Sequence, residues 1–342
     1  MAKTTLKSLA EALKMSVSTV SKALNDSHEI STATKKKVQD FARQNNYRPN
    51  ILAKYLKTGK TNTIGLVLPK MTGAFEAQII AGMQKAASEK HYQIIIMNTM
   101  EDEYQERVAL QSMIDKSVDG ILFCPIHEDS NTSFIDEINQ SIPIVIFDRT
   151  TYPLNTHKIG AQNTEGTYAA CKHLIETGRK RIAVLCGTKQ GITSERLQGY
   201  IQAHQDFQLD IIPHYTLYCN ISNLTDLQND IEKHIQKLLQ LPSPPDAIIG
   251  IADSITTHLL GVLARLGIKV PQTLAIIGFA NTDLAESLNP SLSTIRQPTH
   301  EIGKIAINKL IEVIQKKSRS QIEWKHIKLP TSIQLRHSTL GK

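Results

Sequence analysis

The stretch Thr5-Leu6-Lys7-Ser8-Leu9-Ala10-Glu11-Ala12-Leu13-Lys14-Met15-Ser16-Val17-Ser18-Thr19-Val20-Ser21-Lys22-Ala23-Leu24-Asn25 holds two short helical patterns joined by a three-residue turn. Leu6, Leu9, Ala10 and Leu13 recur at i, i+3, i+4 and i+7, one face of a helix that Thr5 is placed to cap. Ser16 offers a second N-cap. In the helix it opens, Val20, Ala23 and Leu24 face inward and leave Val17, Ser18, Ser21 and Lys22 outside. Asn25-Asp26-Ser27-His28 reads as a loop, after which Ser31 or Thr32 caps a third helix with Val38, Phe41, Ala42 and Asn45 on its inner face. Two short helices, a tight turn and a third helix that closes the core make a helix-turn-helix unit. Periodicity alone would fit any small three-helix bundle, so charge has to decide.

The chain has 342 residues, with 39 Lys+Arg against 32 Asp+Glu. Twelve of those bases and only four of the acids fall in residues 1–60, and the remainder carries 27 against 28. The excess is confined to one end, the pattern of a polyanion-binding head on a nearly neutral body. With 41% hydrophobic and 21% charged residues the composition is that of a globular chain. Apolar runs such as Ile94–Met97 fall far short of the roughly 20 residues a membrane span needs. The N-terminus opens no apolar signal region, and Cys124, Cys171, Cys186 and Cys219 stand in no CxxC or Cys/His cluster. These features predict a cytoplasmic protein with reduced thiols, no membrane association, no bound metal and no cofactor.

Three linked blocks carry a family resemblance: Thr5–Ala10, Ser16–Asn25 and Asn46-Tyr47-Arg48-Pro49-Asn50. They resemble the signature of the LacI/GalR transcriptional regulators, and the rest of the chain extends the resemblance to its C-terminus. It implies an all-α helix-turn-helix head (residues 1–49), a hinge helix and linker (50–60), and a two-lobed α/β periplasmic-binding-protein-like sensor (61–342). Lys14 departs from the small residue common in the family's turn. In a left-handed conformation it would cost about 1 kcal/mol.

The second helix is expected in the major groove, where side chains near its start reach base edges. Val17 would meet a thymine methyl, Ser18 would donate or accept, and Lys22 would donate to guanine. Lysine there replaces the family's usual arginine and forfeits a bidentate fork. Ser16, Thr19, Ser21 and Thr34 suit phosphates, while Lys35, Lys36 and Lys37 fit phosphate contact or a solvated helix face equally well. The resemblance implies that Leu56, with Ala53 on the same hinge helix, enters the minor groove as an apolar wedge. Gly59-Lys60-Thr61 resembles a phosphate-loop ending, but Lys54 stands where that loop requires glycine, and nucleotide binding is rejected.

From residue 62 onward, β-rich runs alternate with helical stretches. The runs are Thr63–Leu68, Gln93–Met97, Gly120–Cys124, Pro143–Phe147, Arg181–Cys186, Tyr215–Cys219, Ala247–Ile251 and Leu274–Phe279. Strands this apolar are buried on both faces, which predicts parallel sheets covered by helices. The resemblance implies three crossings between lobes: after Asp148-Arg149, near Ser293–Pro298 and around Trp324–Leu329. The first lobe would comprise about 61–161 and 294–324, the second about 162–293 and 325–342.

In that architecture a small effector, sugar or sugar-like, sits between the lobes. Arg196 and Asp148 match the family's ligand-contacting positions, Phe75 is placed to cover an apolar sugar face, and Asp253 and Asn281 join them as effector-binding residues. Ala252 and Ala280 stand where the family commonly has Asn and Asp, and Arg149 beside Asp148 fits either an acidic ligand or, the preferred reading, a surface arginine. A homodimer on double-stranded operator DNA is expected. It would stop short of a tetramer, because the residues after the last strand leave no room for leucine heptads. The competing readings are a solute-binding protein without regulation, against which the basic head argues, and an enzyme using the cleft. No catalytic triad, metal spacing or phosphate loop supports the latter.

Overall fold

A computed structural model describes residues 5–47, 59–187, 191–221, 223–316 and 318–340. Internal contacts divide the chain into two units, Met1–Thr61 and Asn62–Lys342. The expected minor-groove residues Ala53 and Leu56 lie outside the described residues, as does most of segment 50–60.

The first unit contains α1 (Leu6–Leu13), α2 (Val17–Leu24) and α3 (Thr32–Gln44). Thr5 and Ser8 cap α1 reciprocally, and Ser16 and Ser31 cap α2 and α3 through the amides of Thr19 and Thr34. Lys14 ends α1 in the left-handed region at φ 54°, so lysine occupies the strained turn position. Leu9, Ala10, Val20, Ala23, Val38 and Ala42 form the core, flanked by Leu6, Leu13, Leu24 and Phe41. Asn45 is exposed rather than inward. It closes α3 as C-cap and returns its side-chain amide to Phe41 O at 2.9 Å.

The second unit holds two six-stranded sheets. Its strands are β1 (Thr63–Leu68), β2 (Gln93–Asn98), β3 (Gly120–Phe123), β4 (Ile144–Phe147), β5 (Lys158–Ala161), β6 (Ile182–Gly187), β7 (Thr216–Cys219), β8 (Ala247–Gly250), β9 (Ala275–Phe279), β10 (Ser293–Arg296), β11 (His326–Leu329) and β12 (Ser332–Gln334). The orders are β11-β5-β4-β3-β1-β2 and β12-β10-β9-β8-β6-β7. Every pairing is parallel except β10 with β12.

The first sheet is covered on one face by α4 (Ala74–Glu89) and α11 (Thr299–Gln315), and on the other by α5 (Glu103–Asp115) and α6 (Thr132–Ser141). The second lies between α7 (Asn163–Glu176) with α8 (Ile192–Asp206) and α9 (Leu224–Leu239) with α10 (Asp253–Arg265). Ile, Leu, Val and Phe, with small Gly and Ala, make up β3, β4 and β8, which are buried on both faces.

The lobe boundaries differ from expectation at two crossings. All of β10 pairs within the second sheet, so residues 294–296 belong to the second lobe and the chain crosses after Arg296. The strand β11 pairs with β5 in the first sheet, so residues 326–329 belong to the first lobe and the last crossing falls between Leu329 and Ser332. After the crossing at Arg296, α11 returns to lie on α4. A Cβ on Gly82 would stand 2.5 Å from His300 O, and one on Gly303 2.5 Å from Ile79 O, so both helices need glycine at the crossing.

Candidate functional site

Two surfaces carry the chemistry. On the head, the start of α2 presents Val17, an apolar side chain 46% exposed, next to exposed Ser18. Lys22 is exposed one turn further on, where its ammonium pairs with Glu29 from the following loop. The Ser16 and Thr19 hydroxyls lie 2.8 Å apart, and those of Ser31 and Thr34 2.9 Å apart, so all four are engaged at helix starts. Ser21 is half-buried and its carbonyl accepts from Asn25. Lys35 is held by Asp26 at 2.8 Å, whereas Lys36 and Lys37 are exposed.

On the body, a cavity of about 630 Å³ opens between the two lobes. That is mid-range for ligand pockets of roughly 300–1,000 Å³. Phe75, Asp148, Arg196 and Asp253 all line it. Phe75 sits in the first turn of α4 and packs against the first lobe's core. Asp148 ends β4 in the left-handed region at φ 62°, a conformation aspartate tolerates better than most residues. Burial pushes its carboxyl up from the ordinary range, against the opposing pull of Arg196 and Arg149. Asp253 opens α10 and accepts from Asn281 N at 2.7 Å. Burial raises it too, as it does Glu76 at the start of α4.

Arg196 is 6% exposed. Its guanidinium donates to Asn163 Oδ1 at 3.0 Å, Ile251 O at 2.7 Å and Gln297 Oε1 at 3.2 Å, and lies 3.7 Å over the Phe279 ring. Burial pulls its pKa down to about 10, although Asp148, Glu195 and Asp253 oppose that shift. It therefore stays charged at neutral pH, fixed in place by neutral acceptors rather than by a carboxylate.

Two expectations need correcting. Asn281 does not line the cavity: its side chain bonds Gln78 Oε1 at 3.1 Å and Gln297 O at 2.9 Å, and accepts from Gln297 N. The residue replacing the family's carboxylate by one position has turned into the seam between lobes. Arg149 is not a surface arginine either. It is half-buried, pairs with Glu101 through both terminal nitrogens at 2.7 and 3.2 Å, and donates to the carbonyls of Pro125 and Ile126. Its charge is already spent, so it does not call for an acidic ligand.

Sequence reasoning missed Lys70, Glu76, Glu128 and Gln297, which also line the cavity. Lys70 reaches across the cleft to Ile221 O at 2.8 Å. Buried Glu106 fixes the facing loop by accepting from Ile126 N and Asn131 Nδ2. None of these stands in a local motif. Only the three-dimensional closure of two lobes brings them together.

Residues 5–50 match the pattern of bacterial regulatory proteins of the lacI family, and residues 171–339 that of a periplasmic binding protein-like domain. The ribose operon repressor of Haemophilus influenzae is 32% identical over 312 residues, covering 91% of this chain and 92% of its own. The chain belongs to the lacI family of bacterial regulatory proteins. Another relative of this LacI-family protein is the HTH-type transcriptional repressor CytR of Escherichia coli K12, 31% identical over 312 residues, or 91% and 90% of the two chains. The lac repressor dimer bound to operator and the anti-inducer ONPF matches with a TM-score of 0.86 at 20% identity, over 99% of this chain and 100% of that one. The complex of the regulator CelR with cellobiose matches at 0.72 and 24% identity, over 98% and 100%. At such identities the structures establish the shared fold.

The LacI-family protein is thus a DNA-binding transcriptional regulator with a helix-turn-helix head and an effector-binding body. Among its described residues no helix is long and apolar enough to cross a membrane, and no group of three or more His, Cys, Asp or Glu could hold a metal ion.

Proposed function

We propose that this LacI-family regulator represses transcription from the cytoplasm as a homodimer on a pseudo-palindromic operator, and that a small sugar-like effector in the inter-lobe cavity sets its DNA affinity. One observation carries the reading: Asp148 from the first lobe and Arg196 from the second converge on a single cavity. A ligand held by both favours one lobe arrangement over the other, and it shifts the equilibrium only by its difference in affinity for the two. Val17, Ser18 and Lys22 read bases, and Ser16, Thr19, Ser21 and Thr34 position the head on phosphates. Phe75 and Asp253 complete the effector site.

The test is operator binding by the full chain with and without ligand. Arg196→Ala should keep ligand-free operator affinity while losing the ligand's effect. An unchanged ligand response in folded Arg196→Ala protein would overturn the assignment.

A further inference from the structure

Three helices begin on the cavity wall with no side chain capping them: α4 at Gly73, α8 at Gly191 and α10 at Ala252. The positive end of a helix carries about half an elementary charge and ordinarily suits an anion such as phosphate. Here the protein's own carboxylates stand at all three. The Glu76 carboxylate folds back over Gly73, where an added Cβ would collide with it. Glu128 reaches over from the first lobe, so that a Cβ on Gly191 would lie 3.2 Å from its Oε1. Asp253 opens α10. A full negative charge outweighs a half-positive helix end, so these starts repel a second anion.

The cations of the cavity do not restore the balance. Among the described residues five carboxylates line it, against Lys70, Arg149 and Arg196. Arg149 is matched by Glu101, and Arg196 directs its donors to neutral acceptors while its charge faces Asp148. Glu76 feels Asp148 and Asp253 as like charges, both more strongly than it feels Lys70, and burial raises all three carboxyls. Glu76 belongs to the first lobe and Asp253 to the second, so their repulsion acts across the cleft. Buried charges of one sign are costly until an opposite charge meets them. A second unmet group lies on the same cavity. Gln297, only 7% exposed, lines it with a buried Nε2 that has no hydrogen-bond partner, and such a donor calls for an acceptor oxygen.

We propose that the effector carries a protonated amine on a hydroxylated skeleton, as an amino sugar does, with the ammonium between Glu76 and Asp253 and an oxygen accepting from Gln297. This rests on the cavity being the effector site. The ammonium turns repulsion across the cleft into attraction to both lobes. The same carboxylates exclude phosphorylated sugars.

The experiment measures binding to the full-length protein at neutral pH, by isothermal titration and thermal stabilisation. The probes are D-glucosamine, D-galactosamine and D-mannosamine, each beside its parent hexose and its N-acetyl form, with glucosamine 6-phosphate as the anionic probe. At least one amino sugar should bind on the order of tenfold more tightly than both its parent and its N-acetyl form. Glucosamine 6-phosphate should bind more weakly than glucosamine. Glu76→Gln and Asp253→Asn, which keep side-chain size and remove charge, should each reduce the amine's advantage to about threefold or less. Neutral forms binding as tightly as the amines, tighter binding of the phosphate, an advantage that survives both substitutions, or binding by none of the probes would overturn the proposal. Sugar binding without amine preference but abolished by Arg196→Ala would sink only the cationic effector. Binding indifferent to Arg196→Ala would sink the cavity assignment itself.

Discussion

Lys22 faces a choice between Glu29 on its own head and a base edge on DNA. The ion pair is exposed, so it is weak in water, yet it must break before the ammonium reaches the groove. Glu29→Gln should therefore raise operator affinity several-fold, read by fluorescence anisotropy at fixed salt. Lys22→Ala should cost about 1–3 kcal/mol and relax selection at one base pair per half-site; unchanged selectivity would remove Lys22 from the reading set. In the cavity the raised carboxyl of Asp148 has a sign that can be checked. A folded-state pKa above the unfolded one means the folded protein holds its proton longer, so stability falls as pH rises from the unfolded pKa through the folded one, and the penalty persists at neutral pH. Asp148→Asn should raise the neutral-pH melting temperature by about 2–4 °C while weakening effector binding, and the gain should vanish below the unfolded pKa. Equal gains at acidic and neutral pH would show that ionisation is not the cause.

The glycine contact between α4 and α11 and the amide cluster beside it join the crossing segment to the first lobe. Gln78 Nε2 donates to Asn281 O at 2.9 Å, and Thr299 Oγ1 donates to Gln78 Oε1 at 3.0 Å. Asn281 is tied to Gln297, and Gln297 to Arg196. The chain of bonds thus runs from the effector arginine to α4 on the other lobe. Gln78→Ala should shift the midpoint of the effector response on DNA by several-fold with little change in ligand-free operator affinity; an identical response curve would show the cluster to be passive. Gly303→Ala should destabilise the body by about 1–3 kcal/mol in denaturant titration, because backbone rather than a flexible side chain opposes the added methyl. Eight strands of the body were readable as apolar runs, and they match β1–β4 and β6–β9 closely. The missed strands β5, β10, β11 and β12 are short and lie where the chain crosses or nears a crossing. His326-Ile327-Lys328-Leu329 alternates because one of its faces is open, and Ser293-Thr294-Ile295-Arg296 carries too many polar residues to stand out. The helix α6 leaves a weak pattern in the sequence because Thr132–Ser141 buries only Ile135 and Ile138.

At the scale of the whole molecule, the sequence separates a basic head from a neutral body, and the capping serines and inward Leu, Val and Ala show plainly in it. The cavity was half legible. Asp148 and Arg196 stand in local strings that resemble the family's, at a strand end and a helix start, whereas no string reveals that the Asn281 amide turns toward Gln78 and Gln297. Glu76, Glu128 and Gln297 reach the site only through the packing of two discontinuous lobes. The central claim is that a ligand bridging those lobes at Arg196 governs DNA binding. Its most direct test is anisotropy titration of full-length wild-type and Arg196→Ala protein on an operator selected from random duplexes, with and without the sugar or glycoside that most stabilises the wild type. The account predicts that the ligand changes wild-type operator affinity by tenfold or more, on the order of 1.4 kcal/mol of coupling. The Arg196→Ala protein should bind the same operator without that change. A ligand effect of equal size in both proteins would contradict it.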